Sequence, residues 1–231
     1  MNLVNLLWDI DGTLLDTHGL GVKPLENAIR TEFQNALSLI RGKFSGYTDF
    51  EIIAELSETE IENPVNHESY TRIITAYTDS LRIVFEGESA TSIGDVPNVL
   101  LELKNFPRIK SYIGTGNYEF TGWLKLQSAA LDKFFSPESI FGGDLQRMRR
   151  PDIIAHAKNT LAGRGIPIII GDSPSDVNAA KLNGIEIIGV PTGHHDFSTL
   201  NRLIPGRVLP PTWKLDELLL KIEEVAGTVA L

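Results

Sequence analysis

Apolar positions along the chain change period at identifiable places. Leu3 to Ile10 is a mostly apolar run that ends in acidic residues and then Gly12, the pattern of a buried parallel strand feeding a loop at its carboxyl end. From Val22 the spacing becomes three and four: Val22, Leu25, Ile29, Phe33, Ala36, Leu37 and Ile40 would lie on one face of a helix. Ile52, Ile53 and Leu56 predict a short helix. Tyr70, Ile73, Ile74, Tyr77, Leu81 and Val84 predict a longer one, with Asn63-Pro64 breaking the chain between the two.

After a Gly/Ser/Thr-containing loop around Gly87 to Gly94 the pattern alternates. Strand-like IKSYIG, IPIIIGD and IEIIGV are separated by amphipathic stretches carrying Val96, Val99, Leu100 and Leu103; Phe120, Trp123, Leu124 and Leu131; and Ile153, Ile154, Ala157 and Leu161. This βαβ grammar predicts an α/β protein with a doubly wound parallel sheet. Residues 1–16 and 93–231 would form the core, and residues 17–92 an inserted all-helical domain after the first strand.

Length and charge narrow the possible functions. A chain of 231 residues with 42% hydrophobic content can bury one core plus a small insertion. A net charge of −9 offers nucleic acid no electrostatic footing, since that binding begins with phosphate neutralisation by clustered Lys and Arg. With no cysteine, thiolate nucleophiles, disulfides and zinc–thiolate sites are excluded. The amino terminus MNLVNLLWDIDG has no basic leader, and no apolar run approaches the roughly 20 residues of a membrane span, so the expectation is a cytoplasmic protein without membrane partners.

In open parallel sheets functional groups gather at the carboxyl ends of strands. Here the first strand ends Asp9-Ile10-Asp11-Gly12-Thr13, IKSYIG runs into Thr115-Gly116-Asn117, and IPIII ends Gly171-Asp172-Ser173-Pro174-Ser175-Asp176. Four carboxylates would share one crevice. Such a cluster resists full ionisation unless a cation joins it, and a hard divalent ion with oxygen ligands, Mg²⁺ above all, suits it and would also offset a phosphate's charge.

DxDGT, a later Thr at a second strand end, a basic residue, and then GDxxxD together resemble the haloacid dehalogenase superfamily over nearly the whole chain. DIDGTLLD (Asp9 to Asp16) and GDSPSDVNAA (Gly171 to Ala180) carry the resemblance most specifically. Gly46-Tyr47-Thr48-Asp49 and Leu131-Asp132-Lys133-Phe134-Phe135 are similar to the phosphoglycolate-phosphatase-like branch with a helical cap. The resemblance implies that Asp9 is a nucleophile phosphorylated in turnover, and that Asp11 first protonates the leaving oxygen and then activates water. Thr115, Gly116 and Asn117 would hold the phosphoryl oxygens. Asp9, the Asp11 carbonyl and Asp172 would bind Mg²⁺, with Asp176 as a further ligand or an orienting residue. The substrate would be a small phosphorylated metabolite.

Where the family usually has a lysine before a proline, this chain reads Arg147-Met148-Arg149-Arg150-Pro151. Arg150 occupies the matching place, with Arg149 the substitute. The restriction that Pro151 puts on its predecessor predicts an extended Arg150. A sugar phosphomutase would share the whole site, and a non-catalytic phosphate-ligand-binding module would keep the fold. Asp16 reads as a turn residue, His18 as incidental, His194 and His195 as loop, and Trp8 as pointing away from Asp9 into the covering helices.

Overall fold

The computed structural model describes residues 3–34, 44, 46–59 and 65–227. Ala36, Leu37 and Ile40 of the first helical stripe, and the Asn63-Pro64 break, lie outside the described residues. The main sheet has five parallel strands: β1 (Val4–Trp8), β4 (Ile109–Tyr118), β5 (Ile140–Gly143), β6 (Ile166–Gly171) and β7 (Glu186–Gly189). Their order is β5-β4-β1-β6-β7. A two-stranded antiparallel ribbon joins β2 (Leu15–Asp16) to β3 (Thr91–Ser92).

β1 is buried on both faces, and its alternation assigns the two layers. Val4, Leu6, Trp8 and Ile10 pack with α4 (Val96–Leu103) and α9 (Leu215–Ala226). The Trp8 ring stacks on Trp213 with centroids 6.2 Å apart, and its Nε1 donates to Ser111 Oγ at 3.1 Å. Trp8 thus faces the covering helices, as its parity predicts. Leu7 packs the other way, with α6 (Arg150–Thr160) and α7 (Pro174–Asn183).

The segment between β2 and β3 carries α1 (Val22–Phe33), α2 (Asp49–Thr59) and α3 (His67–Gly87). Leu25, Ile29, Ile53, Ile73, Tyr77 and Leu81 bury one another in a cluster of their own. Asn66 caps α3 by accepting the Ser69 N–H at 2.9 Å. The architecture is therefore a parallel α/β core with an inserted helical cap. No helix among the described residues is long and apolar enough to cross a membrane.

The apolar stripe read from the sequence gives only part of the buried face of α5 (Glu119–Ser128). Of Phe120, Trp123 and Leu124, Trp123 packs half-buried against the core and Phe120 is 43% exposed, while the helix buries Thr121, Gly122, Lys125 and Leu126. Leu126 reaches the core, but Thr121, Gly122 and Lys125 border the crevice at the end of β4, so hydrophobic periodicity misses them. Leu131 is buried, beyond the helix end. β5, β2 and β3 are too short to give a periodic signal.

Candidate active site

Strand register assembles the site. Trp8 is level with Ile113 of β4 and with Ile170 of β6. Asp9 and Asp172, just past their strands, and Thr115, within β4, therefore lie on three adjacent strands within about one residue's rise, roughly 3.3 Å, of one another. The crevice lies at the point where the chain leaves β1 for neighbours on either side, the usual ligand position in doubly wound sheets.

Asp9 has the parity of Leu7 and turns toward α6, where Arg150 Nη1 stands 3.0 Å from its Oδ1. Arg150 also donates to Asp176 Oδ1. Only 5% of the Arg150 side chain is exposed, whereas Arg149 is 66% exposed and pairs with Asp152 at the surface. The extended residue is Arg149 (φ −108°, ψ 148°), one position earlier than Pro151 suggests, and Arg150 opens the helix. Proline is tolerated there because the first helical N–H groups have no intrahelical partner.

Asp172 accepts from Thr13 Oγ1 at 3.2 Å. Its Oδ2 lies against two glycines: a Cβ at Gly193 would stand 1.8 Å away and one at Gly12 2.6 Å away. Gly12 also has φ +80°, so both space and backbone require glycine there. Asp176 sits in the first turn of α7 and closes a capping box. Its Oδ2 accepts from Ser173 N (3.1 Å) and Ser173 Oγ (2.7 Å), while Arg150 takes its Oδ1.

Among the described residues, Asp9, Asp172 and Asp176 form the one acidic cluster with ligand atoms all within 4.8 Å of one another. Burial pushes the Asp9 pKa up to about 7 from an ordinary 3.8; Arg150 opposes this, while Asp176 and Asp11 add to it. Burial, and then Asp9 and Asp176, hold Asp172 well above the usual carboxylate range. Desolvation works against the Arg150 charge, but Asp176 and Asp9 outweigh it and raise its pKa. An all-oxygen donor set whose anions lack full compensation fits a hard divalent cation. His194 lines the cavity, but neither it nor His195 belongs to the acidic cluster.

Asp11 takes a different direction from Asp9. Strand geometry ends at Trp8, so the two side chains need not stay parallel. The Asp11 carboxylate accepts Lys125 Nζ at 2.9 and 2.8 Å and Asn117 Nδ2 at 2.7 Å. Asn117 Nδ2 also donates to Thr115 Oγ1 at 2.7 Å. Lys125 was not legible in the sequence because it lies on the part of the α5 face that the apolar stripe misses.

Above these groups lies a cavity of about 440 Å³. Asp9, Asp11, Thr115, Gly116, Asn117, Arg150 and Asp172 line its floor, with Val22, Leu25, Tyr47, Asp49, Ile52 and Tyr77 of the insertion opposite. Gly116 permits the approach of the insertion, since a Cβ there would lie 3.2 Å from both Thr48 Cα and Tyr47 O. Asp49 fastens the same segment by accepting from Tyr118 N at 2.9 Å and Thr121 Oγ1 at 3.2 Å.

Residues 6–190 match the family model described as haloacid dehalogenase-like hydrolase. The chain belongs to this family. The resemblance carried by DIDGT and GDSPSD thus holds for the family. The hydrolase is 27% identical over 208 residues to a phosphoglycolate phosphatase of Agrobacterium fabrum, covering 82% of this chain and 81% of that protein. It is 23% identical over 206 residues to a phosphoglycolate phosphatase of Mesorhizobium japonicum, covering 83% and 84%. The crystal structure of a predicted phosphatase from Clostridium acetobutylicum superposes with a TM-score of 0.70 at 20% identity, covering 97% of this chain and all of that one. At that identity the superposition speaks for the fold.

Proposed function

We propose that this hydrolase is a phosphatase that releases phosphate from a small-metabolite phosphomonoester, with Mg²⁺ as cofactor and Asp9 as the residue phosphorylated in turnover. The observation that carries the reading is the placement of Asp9: buried at the end of β1, 3.0 Å from Arg150, and grouped with Asp172 and Asp176 under a cavity. The names of the two phosphatase relatives agree with this choice of chemistry.

Asp9 Oδ attacks phosphorus, the P–O bond to the metabolite breaks, and an acyl phosphate on Asp9 replaces one difficult displacement with two easier ones. Asp11 gives the departing oxygen its proton, then takes one from the water that releases phosphate from Asp9. Arg150 holds Asp9 and the phosphoryl oxygens together against their repulsion. Thr115 Oγ1 and the Gly116 N–H supply hydrogen bonds to those oxygens, while Asn117, expected from the sequence to join them, has its N–H groups engaged by Asp11 and Thr115 and orients those two side chains instead. Asp9, Asp172 and the Asp11 carbonyl would hold Mg²⁺, and Asp176, with both carboxylate oxygens already engaged by Arg150 and Ser173, orients Arg150. The ion would supply charge neutralisation for the incoming phosphate.

Residues 1–16 and 93–231 act as the catalytic core and 17–92 as a lid. The β2–β3 ribbon at the base of the insertion and the shared lining of the cavity support that division. The test is release of inorganic phosphate from a panel of phosphomonoesters that includes phosphoglycolate and an aryl phosphate, with Mg²⁺ and with excess chelator. Turnover with the metal and none with chelator is the expected result. Full turnover in chelator removes the metal from the mechanism, and an inert protein across the panel removes the phosphatase reading.

A further inference from the structure

A lysine 6% exposed at the floor of an active-site cavity needs a reason. Desolvating an ammonium is costly unless it is paired, and nothing about packing asks for lysine on a helix face that otherwise holds Thr121, Gly122 and Leu126. The three protons of Lys125 are all spoken for: Nζ donates to Asp11 Oδ1 (2.9 Å), Asp11 Oδ2 (2.8 Å) and Asn117 Oδ1 (2.5 Å). No N–H remains to meet a phosphate. In this Lys125 differs from Arg150, which faces the Asp9 nucleophile itself.

With its Oδ1 accepting from Lys125, the Asn117 carboxamide is fixed in one orientation, and its Nδ2 then bridges Asp11 Oδ2 and Thr115 Oγ1. The Asp11 side chain is 41% exposed and belongs to a loop after the strand end, so neither burial nor backbone would hold it in one rotamer. The chain Thr115–Asn117–Asp11–Lys125 therefore ties a mobile type of side chain to the end of β4, the segment proposed to grip the phosphoryl group.

We propose that Lys125 is a positioning residue for Asp11: its ammonium, working with Asn117, sets the direction in which the Asp11 carboxylate meets the oxygen whose proton it transfers. The proposal rests on the acid–base role given to Asp11 above. It assigns the reaction a second cation, distinct in task from Arg150: one serves the nucleophile and the phosphoryl group, the other serves the acid–base group.

The test is a double-mutant cycle on steady-state hydrolysis of an alkyl phosphate, which leaves slowly without a proton. Lys125→Met should lower kcat by roughly 10- to 100-fold, the scale of a misplaced reacting group, with KM within about threefold of wild type. Lys125→Arg should recover part of the loss. In the Asp11→Asn background, Lys125→Met should change kcat by less than about twofold, because nothing remains to position.

Equal losses in the two backgrounds would make Lys125 a structural residue and overturn the proposal. A large rise in KM with kcat kept, accompanied by weaker inhibition by inorganic phosphate, would make it a substrate ligand and overturn it too. Far-ultraviolet circular dichroism checks folding. If Lys125→Met does not fold, Lys125→Gln and Asn117→Ser carry the same cycle. Failure of the underlying reading looks different: a wild-type protein inert on all phosphomonoesters, or an Asp11→Asn variant of full activity, removes the acid–base assignment and this proposal with it.

Discussion

Replacing Arg150 with alanine tests the electrostatic frame of the site. Its guanidinium contacts Asp9 at 3.0 Å and also binds Asp176, and the three side chains are 5%, 12% and 1% exposed, so solvent cannot take over. Removing one partner of a buried ion pair costs about 3–5 kcal/mol, because the other charge stays behind uncompensated. For a chain of this length that corresponds to a fall in Tm of roughly 6–20 °C. Arg149→Ala should leave Tm unchanged within error, since that side chain pairs with Asp152 in open solvent. Turnover should fall by about 10²–10³-fold in Arg150→Ala, the scale of losing one preorganised donor to developing charge. Arg150→Lys should keep part of both, because a point charge can serve Asp9 or Asp176 but lacks the fork that reaches the two together. Saturating Mg²⁺ should raise the Tm of Arg150→Ala more than that of wild type, by supplying positive charge to the same carboxylates. Differential scanning calorimetry with and without metal, alongside phosphate release, measures all of this. Equal and small changes for the two alanine variants would refute the reasoning, whatever the sign.

Asp9→Asn should abolish turnover while preserving the fold, and a residual rate of a tenth of wild type would require another nucleophile. The same variant isolates a pH effect. The folded-state pKa of Asp9, about 7, lies above its ordinary 3.8, so the folded protein holds the proton more tightly; stability from this group is full below about pH 4 and is lost as pH rises to about 7. In metal-free protein the Tm of wild type relative to Asp9→Asn should therefore fall between pH 5 and pH 8, and saturating Mg²⁺ should flatten the difference; a difference that rises with pH would contradict the burial argument. Gly193→Ala would place a Cβ 1.8 Å from Asp172 Oδ2 and should weaken Mg²⁺ affinity by roughly 10–100-fold, as displaced partners of a ligand do, while Gly87→Ala, with nothing within 4 Å, should not; calorimetric titration compares them.

The parts of this structure that read directly from sequence are those where one physical requirement dominates. β1, β6 and β7 are buried parallel strands, so their apolar runs are continuous and conspicuous. The three insertion helices show their stripe because each buries one face in a small separate core. Asp9 and Asp172 are marked by the strand ends that carry them, and Thr115 by the apolar run before it, although β4 continues three residues further to Tyr118. α5 resisted the same reading because only part of its inward face, Leu126, serves the core, and Lys125, Thr121 and Gly122 at the crevice leave a pattern indistinguishable from an exposed surface. The two-residue spacing of Asp9 and Asp11 predicts side chains that point the same way, and this fails because strand parity stops applying where the strand stops. Gly193 acts through a loop contact, and Asp49 through a contact from the start of α2 to the end of β4, neither of which leaves a period.

Charge at the crevice gives these assignments a common ground. Asp9, Asp11, Asp49, Asp172 and Asp176 converge there, and among the described residues Arg150 and Lys125 are the cations in direct contact with Asp9, Asp11 and Asp176. These five carboxylates against two cations leave three negative charges if all ionise, and Asp16, which also lines the cavity, adds a fourth, an environment that would repel a phosphomonoester dianion. Burial favours the protonated form of Asp9, whereas the attack proposed for Asp9 needs the anion. On the proposed reading, a divalent cation held by Asp9, Asp172 and the Asp11 carbonyl would favour the ionised form of Asp9 and lower the charge that the substrate meets. The Asp11 carboxylate is paired with Lys125 at 2.8 Å, so on the proposed reading the metal would sit on the Asp172 side of the crevice, with the Asp11 side chain left to protein residues.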